Sequence, residues 1–288
     1  MSESLPDSET ADFTLPAADG FRLAATQFTP PGDVREAVLI NSATAVPRKI
    51  YRAFAQYLAQ RGSLVVTYDY RGTGGSRPKT LKGFKATMTD WALLDVTGAV
   101  DWMRSQHAGL PLVFVGHSFG GQALGLLPNN MSVSRALFIA AQAGAWRRMT
   151  PPEGLRVFAL MNAVGRPLAH LLGYAPGWVG LGEDLPRDVF LQWTKWVSSR
   201  RYYYDDPSLT ALANYPNYRG PLRALTFSDD PWATRPAVEL LCSGFTSTRP
   251  EIVTVTPQQS GLAKIGHFGF FRPENRALWS DAAEWMRD

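Results

Sequence analysis

The sequence predicts an α/β fold: a mostly parallel central sheet flanked by helices, with a helical cap insertion. Three observations carry that prediction. Short apolar runs rich in β-branched residues alternate with segments of helical periodicity along most of the chain, as parallel strands joined by crossover helices require. The run Pro111-Leu112-Val113-Phe114-Val115 ends in Gly116-His117-Ser118-Phe119-Gly120-Gly121 and passes at once into helix-compatible sequence over residues 122–127. A strand therefore reverses into a helix over a serine, the pattern of a nucleophile elbow. Between about Ala143 and Tyr218 the alternation breaks, and Trp, Tyr, Met and Pro accumulate. The expected division is a core of residues 1–142 and 219–288 with a cap of residues 143–218.

In chain order, residues 1–11 read as a mobile tail, and residues 12–16 and 21–28 alternate like two short strands around Ala18-Asp19-Gly20. Ala37-Val38-Leu39-Ile40 is a buried strand that stops at Asn41-Ser42-Ala43-Thr44. Tyr51, Phe54, Ala55 and Leu58 recur at helical spacing until Gly62. Residues 63–70 form the next strand, followed by the Gly-rich loop Arg71-Gly72-Thr73-Gly74-Gly75-Ser76. That loop lacks the Lys-Ser/Thr of a phosphate cradle and the spacing of a dinucleotide fingerprint, so nucleotide binding is not expected. Residues 88–106 form a long amphipathic helix, with Leu93, Val96, Val100 and Met103 along one face. After the elbow come a strand at residues 133–141, the cap, strands at residues 222–227 and 252–255, and a closing helix over residues 273–287.

Composition narrows the function. With 45% hydrophobic and 19% charged residues among 288, the chain can bury a sizeable core, and one domain plus an insertion fits the length. Twenty-nine Lys and Arg against 25 Asp and Glu leave +4, and Arg147-Arg148 and Arg200-Arg201 are short pairs, with no long basic run or repeated basic module. Nucleic acid is not an expected partner. Cys242 is the only cysteine, so no intrachain disulfide can form, and it reads as a small buried hydrophobe. The polar, acidic start Met1-Ser2-Glu3-Ser4-Leu5-Pro6-Asp7 lacks the pattern of a signal peptide, so a cytoplasmic protein is expected. The uncharged stretch between Arg104 and Arg135 is long enough to span a bilayer, but it holds His117, Pro128, Asn129 and Asn130. No stable membrane insertion is expected, and the oligomeric state is not predicted.

A serine hydroxyl is a poor nucleophile at neutral pH and needs a base, which in turn needs an orienting carboxylate. Gly116 and Gly120 fit an elbow because side chains two positions either side of Ser118 would collide, and the N–H of Phe119 then stands at a helix start where an oxyanion can be stabilised. Of four histidines, His117 flanks the serine but points the wrong way, His107 ends a helix and His170 lies in the cap. His267 alone follows the last strand. The acid belongs in the loop after the preceding strand, where Asp229 and Asp230 both stand. Pro231 biases Asp230 towards extended backbone and leaves Asp229 for a turn, hydrogen-bonding nearby N–H groups. Asp230 is therefore the expected partner of His267.

These residues carry a family resemblance. Asp69-Tyr70-Arg71-Gly72-Thr73-Gly74-Gly75-Ser76 resembles the D-x-R-G-x-G-x-S loop of α/β-hydrolases, and the chain order serine, aspartate, histidine is theirs. More narrowly, Ala43-Thr44-Ala45-Val46, the elbow and Gly266-His267-Phe268-Gly269-Phe270-Phe271-Arg272 resemble a bacterial subgroup of predicted α/β-hydrolases. The resemblance implies the α/β-hydrolase fold and an esterase-like triad, and it gives no substrate. Many members carry His-Gly where this chain has Asn41-Ser42, so the second oxyanion donor is the N–H of Ala43 or of Thr44. Arg71 is expected to tie the Gly-rich loop to neighbouring carbonyls or carboxylates.

The function expected is cleavage of a carboxylic ester or thioester through an acyl-enzyme. Ser118 attacks, His267 moves the proton, Asp230 orients the imidazole, and Phe119 with Ala43 or Thr44 holds the oxyanion. The partner is a small-molecule acyl substrate; no metal or organic cofactor is required. Trp193 and Trp196 are the cap residues expected to contact it. Two alternatives remain: an acyltransferase using the same triad, and a non-catalytic binding protein on the same fold.

Overall fold

The structure, a computed structural model, describes residues 8–180 and 182–287. The chain opens with the hairpin β1 (Glu9–Pro16) and β2 (Arg22–Thr29), then β3 (Glu36–Asn41), α1 (Arg52–Ala59) and β4 (Ser63–Tyr68). A helical stretch follows: α2 (Met88–Asp90), a π-helical turn (Trp91–Val96) and α3 (Thr97–Gln106). Next come β5 (Leu112–His117), α4 (Phe119–Leu124) and β6 (Arg135–Ile139). The insertion carries α5 (Pro151–Ala159), α6 (Arg166–Leu172), the short strands β7 (Tyr174–Ala175) and β8 (Leu185–Pro186), and α7 (Arg187–Ser198). The core then resumes with β9 (Leu222–Phe227), α8 (Arg235–Cys242), β10 (Glu251–Val255) and α9 (Trp279–Trp285).

Eight strands form one sheet in the order β1-β2-β4-β3-β5-β6-β9-β10. The first two pairings, β1 with β2 and β2 with β4, are antiparallel, and all the rest are parallel. β3, β4 and β5 are buried at every position, which is why their sequences read as apolar runs without alternation: helices cover both faces. β4 lies on one side of β3 and β5 on the other, so the chain leaves the carboxyl ends of two adjacent strands in opposite directions. That is a topological switch point, where open α/β sheets bind ligands. Asn41 pairs with Gly116 across it, so the loop at Ala43 and Thr44 and the turn at Ser118 emerge side by side.

Several boundaries differ from expectation. β1 begins at Glu9, inside the expected tail, while residues 1–7 lie outside the described residues. β6 stops at Ile139 because Ala140 takes a left-handed φ of 49°. The helix at residues 88–106 contains the π turn, where Asp95 turns inward to hold Arg71. α8 was not anticipated, although Thr234-Arg235-Pro236 is a helix start and Ala237, Val238 and Leu241 form its buried face. The closing helix starts as a tighter turn (Pro273–Leu278) with a kink at Asn275.

Candidate active site

Ser118 sits between β5 and α4 at φ 51° and ψ −116°, a conformation that L-residues adopt only under constraint. The constraint is visible on both sides: a Cβ on Gly116 would overlap Gly121, and one on Gly120 would overlap the carbonyl of Asn41. The Ser118 N–H donates to the Ile139 carbonyl at 3.0 Å, pinning the turn to the neighbouring strand. The residue is 7% exposed and lines a cavity of about 850 Å³, with His267 in the same lining. No hydrogen bond joins the Ser118 and His267 side chains, and catalytic contacts of this kind commonly tighten only around substrate.

The two adjacent carboxylates after β9 divide as their geometry requires. Asp230 Oδ2 stands 2.7 Å from His267 Nδ1, while its Oδ1 accepts the N–H groups of Trp232 at 2.8 Å and Ala233 at 3.1 Å. Burial pushes the Asp230 carboxyl up, but the charge and hydrogen bond of His267 and the two N–H donors outweigh it and hold it below the usual carboxylate range. Asp229 turns the other way and accepts the N–H groups of Ile265 and Gly266, both at 2.9 Å. It fastens the loop that carries His267, and touches the imidazole not at all.

A buried relay joins this loop to the one after β3. His117 Nε2 lies 2.9 Å from the carbonyl of His267, which can only accept, so Nε2 carries the proton. His117 Nδ1, 2.9 Å from the Tyr51 hydroxyl, must then accept from it, and the Tyr51 oxygen accepts the N–H of Ala43 at 2.8 Å. Burial, with the nearby His267 adding to it, pulls the His117 pKa down to about 3, so the ring is neutral. Neither role is legible in the sequence, where His117 reads as pointing the wrong way and Tyr51 only as one residue of a helical face. The available signal was a polar ring at the end of an otherwise apolar strand. The relay also separates the two oxyanion candidates, because the Ala43 N–H is taken by Tyr51, while the N–H groups of Thr44 and Phe119 have no acceptor among the described residues.

Trp193 lines the cavity, together with Trp232, whose indole N–H donates to Glu153 Oε1 at 2.6 Å. Trp196 does not reach it, which corrects the expectation. Its ring is fully buried among Tyr202 and Tyr203, and its N–H donates to Asp206 Oδ2 at 2.8 Å. The insertion also contributes Arg156, Gly180, Gly182 and Glu183 to the lining.

The Gly-rich loop after β4 is closed to phosphate. Its N–H groups are already taken: Gly74 by Glu183, Gly75 by Asp69, and Gly72, Thr73 and Ser76 by carbonyls within the loop. Arg71 ties it down through Asp95 at 2.7 Å and Asp19 at 2.7 and 2.8 Å.

Comparisons with known proteins agree with this architecture. The model of the alpha/beta hydrolase family matches residues 37–277. No curated protein matches the sequence. Among solved structures, the Pyrococcus furiosus esterase Pf2001 superposes with a TM-score of 0.62 at 16% identity, covering 97% of this chain and 92% of that one. The hypothetical protein PA2218 of Pseudomonas aeruginosa gives 0.63 at 16% identity, covering 99% and 95%. The esterase domain of a Rhodothermus marinus protein gives 0.59 at 16%, covering 97% and 98%. Likeness at such identities concerns the fold. No helix among the described residues is long and apolar enough to cross a membrane.

Proposed function

The chain belongs to the alpha/beta hydrolase family, and from that premise we propose that it is a serine hydrolase cleaving a carboxylic ester or thioester. Ser118 Oγ attacks the acyl carbon while His267 Nε2 takes its proton, and the tetrahedral oxyanion rests on the N–H groups of Phe119 and Thr44. Collapse expels the alcohol or thiol, which receives the proton from His267. Water, deprotonated by the same imidazole, then attacks the acyl-enzyme; the bond to Ser118 Oγ breaks, His267 returns the proton to that oxygen, and the acid is released. Asp230 keeps Nδ1 protonated throughout, so that Nε2 faces the serine.

The observation that supports this reading best is the Asp230–His267 hydrogen bond at 2.7 Å, in a cavity that also holds a strained, nearly buried serine. Thr44 is preferred to Ala43 as second donor because the Tyr51 hydroxyl already accepts the Ala43 N–H. Trp193 is the insertion residue proposed to touch the acyl group. A cytoplasmic setting is proposed with it, since Cys242 is buried and unpaired.

The test is labelling by a fluorophosphonate probe, which requires an activated nucleophile beside an oxyanion hole. The wild-type protein is expected to label at Ser118, and Ser118→Ala is expected to lose both labelling and turnover, the latter by about a million-fold. Equal labelling of the variant would overturn the triad.

A further inference from the structure

The cavity at Ser118 is uneven in charge. Around the serine its lining is buried and apolar, with Ala43, Val46, Trp193 and Phe271. At its exposed edge stand Lys49, Arg52, Arg156 and Arg272, against one carboxylate, Glu183. In a chain with 29 basic and 25 acidic side chains, that ratio is a local concentration.

The cations differ in what holds them. Glu153 grips Arg156 with two bonds of 2.7 Å and so neutralises it. Arg48, beside Lys49, is likewise occupied, by Asp69 and Thr26. Among the described residues, no carboxylate lies within ion-pair distance of Lys49 or Arg52; Arg52 is felt by Asp12 only weakly, through space. Arg272 has Glu274 at 4.0 Å, with both side chains about two-thirds exposed, a pairing worth little in water. Glu183 gives one oxygen to the Gly74 N–H. Among the described residues, the edge therefore carries two cations without an ion-pair partner, Lys49 and Arg52, and a third, Arg272, whose exposed pairing with Glu274 neutralises little of its charge.

Two of them are placed by the fold. Lys49, in the 3-10 turn Arg48–Tyr51 that leads into α1, and Arg52, Ala53 and Gln56 of α1 line the cavity, while Tyr51 of that turn and Phe54, Ala55 and Leu58 of α1 are fully buried in the core. A helix anchored along one face holds its charges over the cavity mouth.

We infer that the substrate is an acyl ester or thioester that is apolar near the scissile bond and anionic at its far end, a carboxylate or phosphate that meets Lys49, Arg52 and Arg272. The inference rests on the serine-hydrolase reading above. Edge charges of this kind act mainly by steering and orienting an oppositely charged ligand, so their effect falls as salt rises.

Two matched pairs of substrates test it and tell the source of the charge. On the acyl side, the p-nitrophenyl hemiester of glutaric acid is compared with p-nitrophenyl butyrate; on the leaving side, butyryl-coenzyme A with the butyryl thioester of N-acetylcysteamine. In at least one pair the anionic member is expected to show a kcat/KM about tenfold higher at low ionic strength, shrinking with added salt. In the double variant Lys49→Ala/Arg52→Ala, that ratio is expected to fall by about tenfold, with active-site content normalised by fluorophosphonate labelling. A wild-type protein that labels at Ser118 but favours the neutral member of both pairs overturns the inference and leaves the triad standing. A ratio unmoved in the double variant overturns it too. Absence of labelling removes the triad, and the inference with it.

Discussion

Asp229 and Asp230 at the sheet edge, and Trp193 and Trp196 in the insertion, are two pairs of like residues that separate in role for different reasons. At the sheet edge the backbone decides. The loop after β9 is short, Pro231 follows the two aspartates within it, and the N–H groups of Trp232 and Ala233 on one side and of Ile265 and Gly266 on the other leave each carboxylate one place to go. In α7 both indoles lie on the inner side of the same helix, and neighbouring side chains decide. Tyr202, Tyr203 and Asp206 enclose Trp196, while Trp193 meets Trp232 at the cavity wall. Local chain chemistry is enough to read the first kind of difference, and tertiary packing is needed for the second.

The largest effect that sharpens this contrast is at Asp230. Asp230→Asn keeps the shape but no longer favours the Nδ1–H tautomer of His267, so turnover is expected to fall by roughly four orders of magnitude. Asp229→Asn weakens two charge-assisted bonds to the His267 loop, for a stability cost of about 1–3 kcal/mol and a much smaller loss of turnover. Both variants are to be assayed well below their melting temperatures. A greater turnover loss for Asp229→Asn would reverse the assignment.

The tryptophans are expected to differ in kind. Trp196→Ala empties a fully buried site and leaves Asp206 short of a donor, costing about 3–5 kcal/mol in denaturant unfolding. Trp193→Ala is expected to shift relative rates among esters of different acyl length while costing less stability, since one side of its ring faces the cavity. If Trp196→Ala changes the acyl profile more than Trp193→Ala does, the division of the insertion into wall and core is wrong.

How much was legible follows the same line. The elbow could be read because Gly116 and Gly120 exclude every larger side chain, and that exclusion is written in the sequence itself. The parallel core could be read because strands buried on both faces must be continuously apolar. The path of the insertion could not, because its two-residue strands β7 and β8 and its π turn at Leu160–Gly165 have no periodic signature. Nor could the choice between Ala43 and Thr44, which depends on where the Tyr51 hydroxyl arrives from a different element.

The relay through His117 is where the two ways of fixing a side chain meet, and it yields the smallest predicted effect. His117 is placed by the strand it ends, yet its protonation is set by packing: burial pulls its pKa to about 3, against 6.5 for an ordinary histidine. The folded-state value is depressed, so the chain takes up a proton here on unfolding. The associated stability is present above the unfolded value and is lost as pH falls from about 6.5 towards 3, at up to about 1.4 kcal/mol per pH unit. His107, also lowered by burial, adds to the slope in the wild-type protein, so the difference from a variant isolates His117. His117→Gln cannot titrate, whatever it costs at neutral pH. Its unfolding free energy is therefore expected to fall more gently between pH 6 and pH 4 than that of the wild type, by about 1.4 kcal/mol per unit. The measurement is denaturant unfolding of both proteins across that range. Parallel slopes would mean that His117 is already protonated in the fold; its Nδ1 could then no longer accept from Tyr51, and the relay drawn from the hydrogen-bond geometry would have to be abandoned.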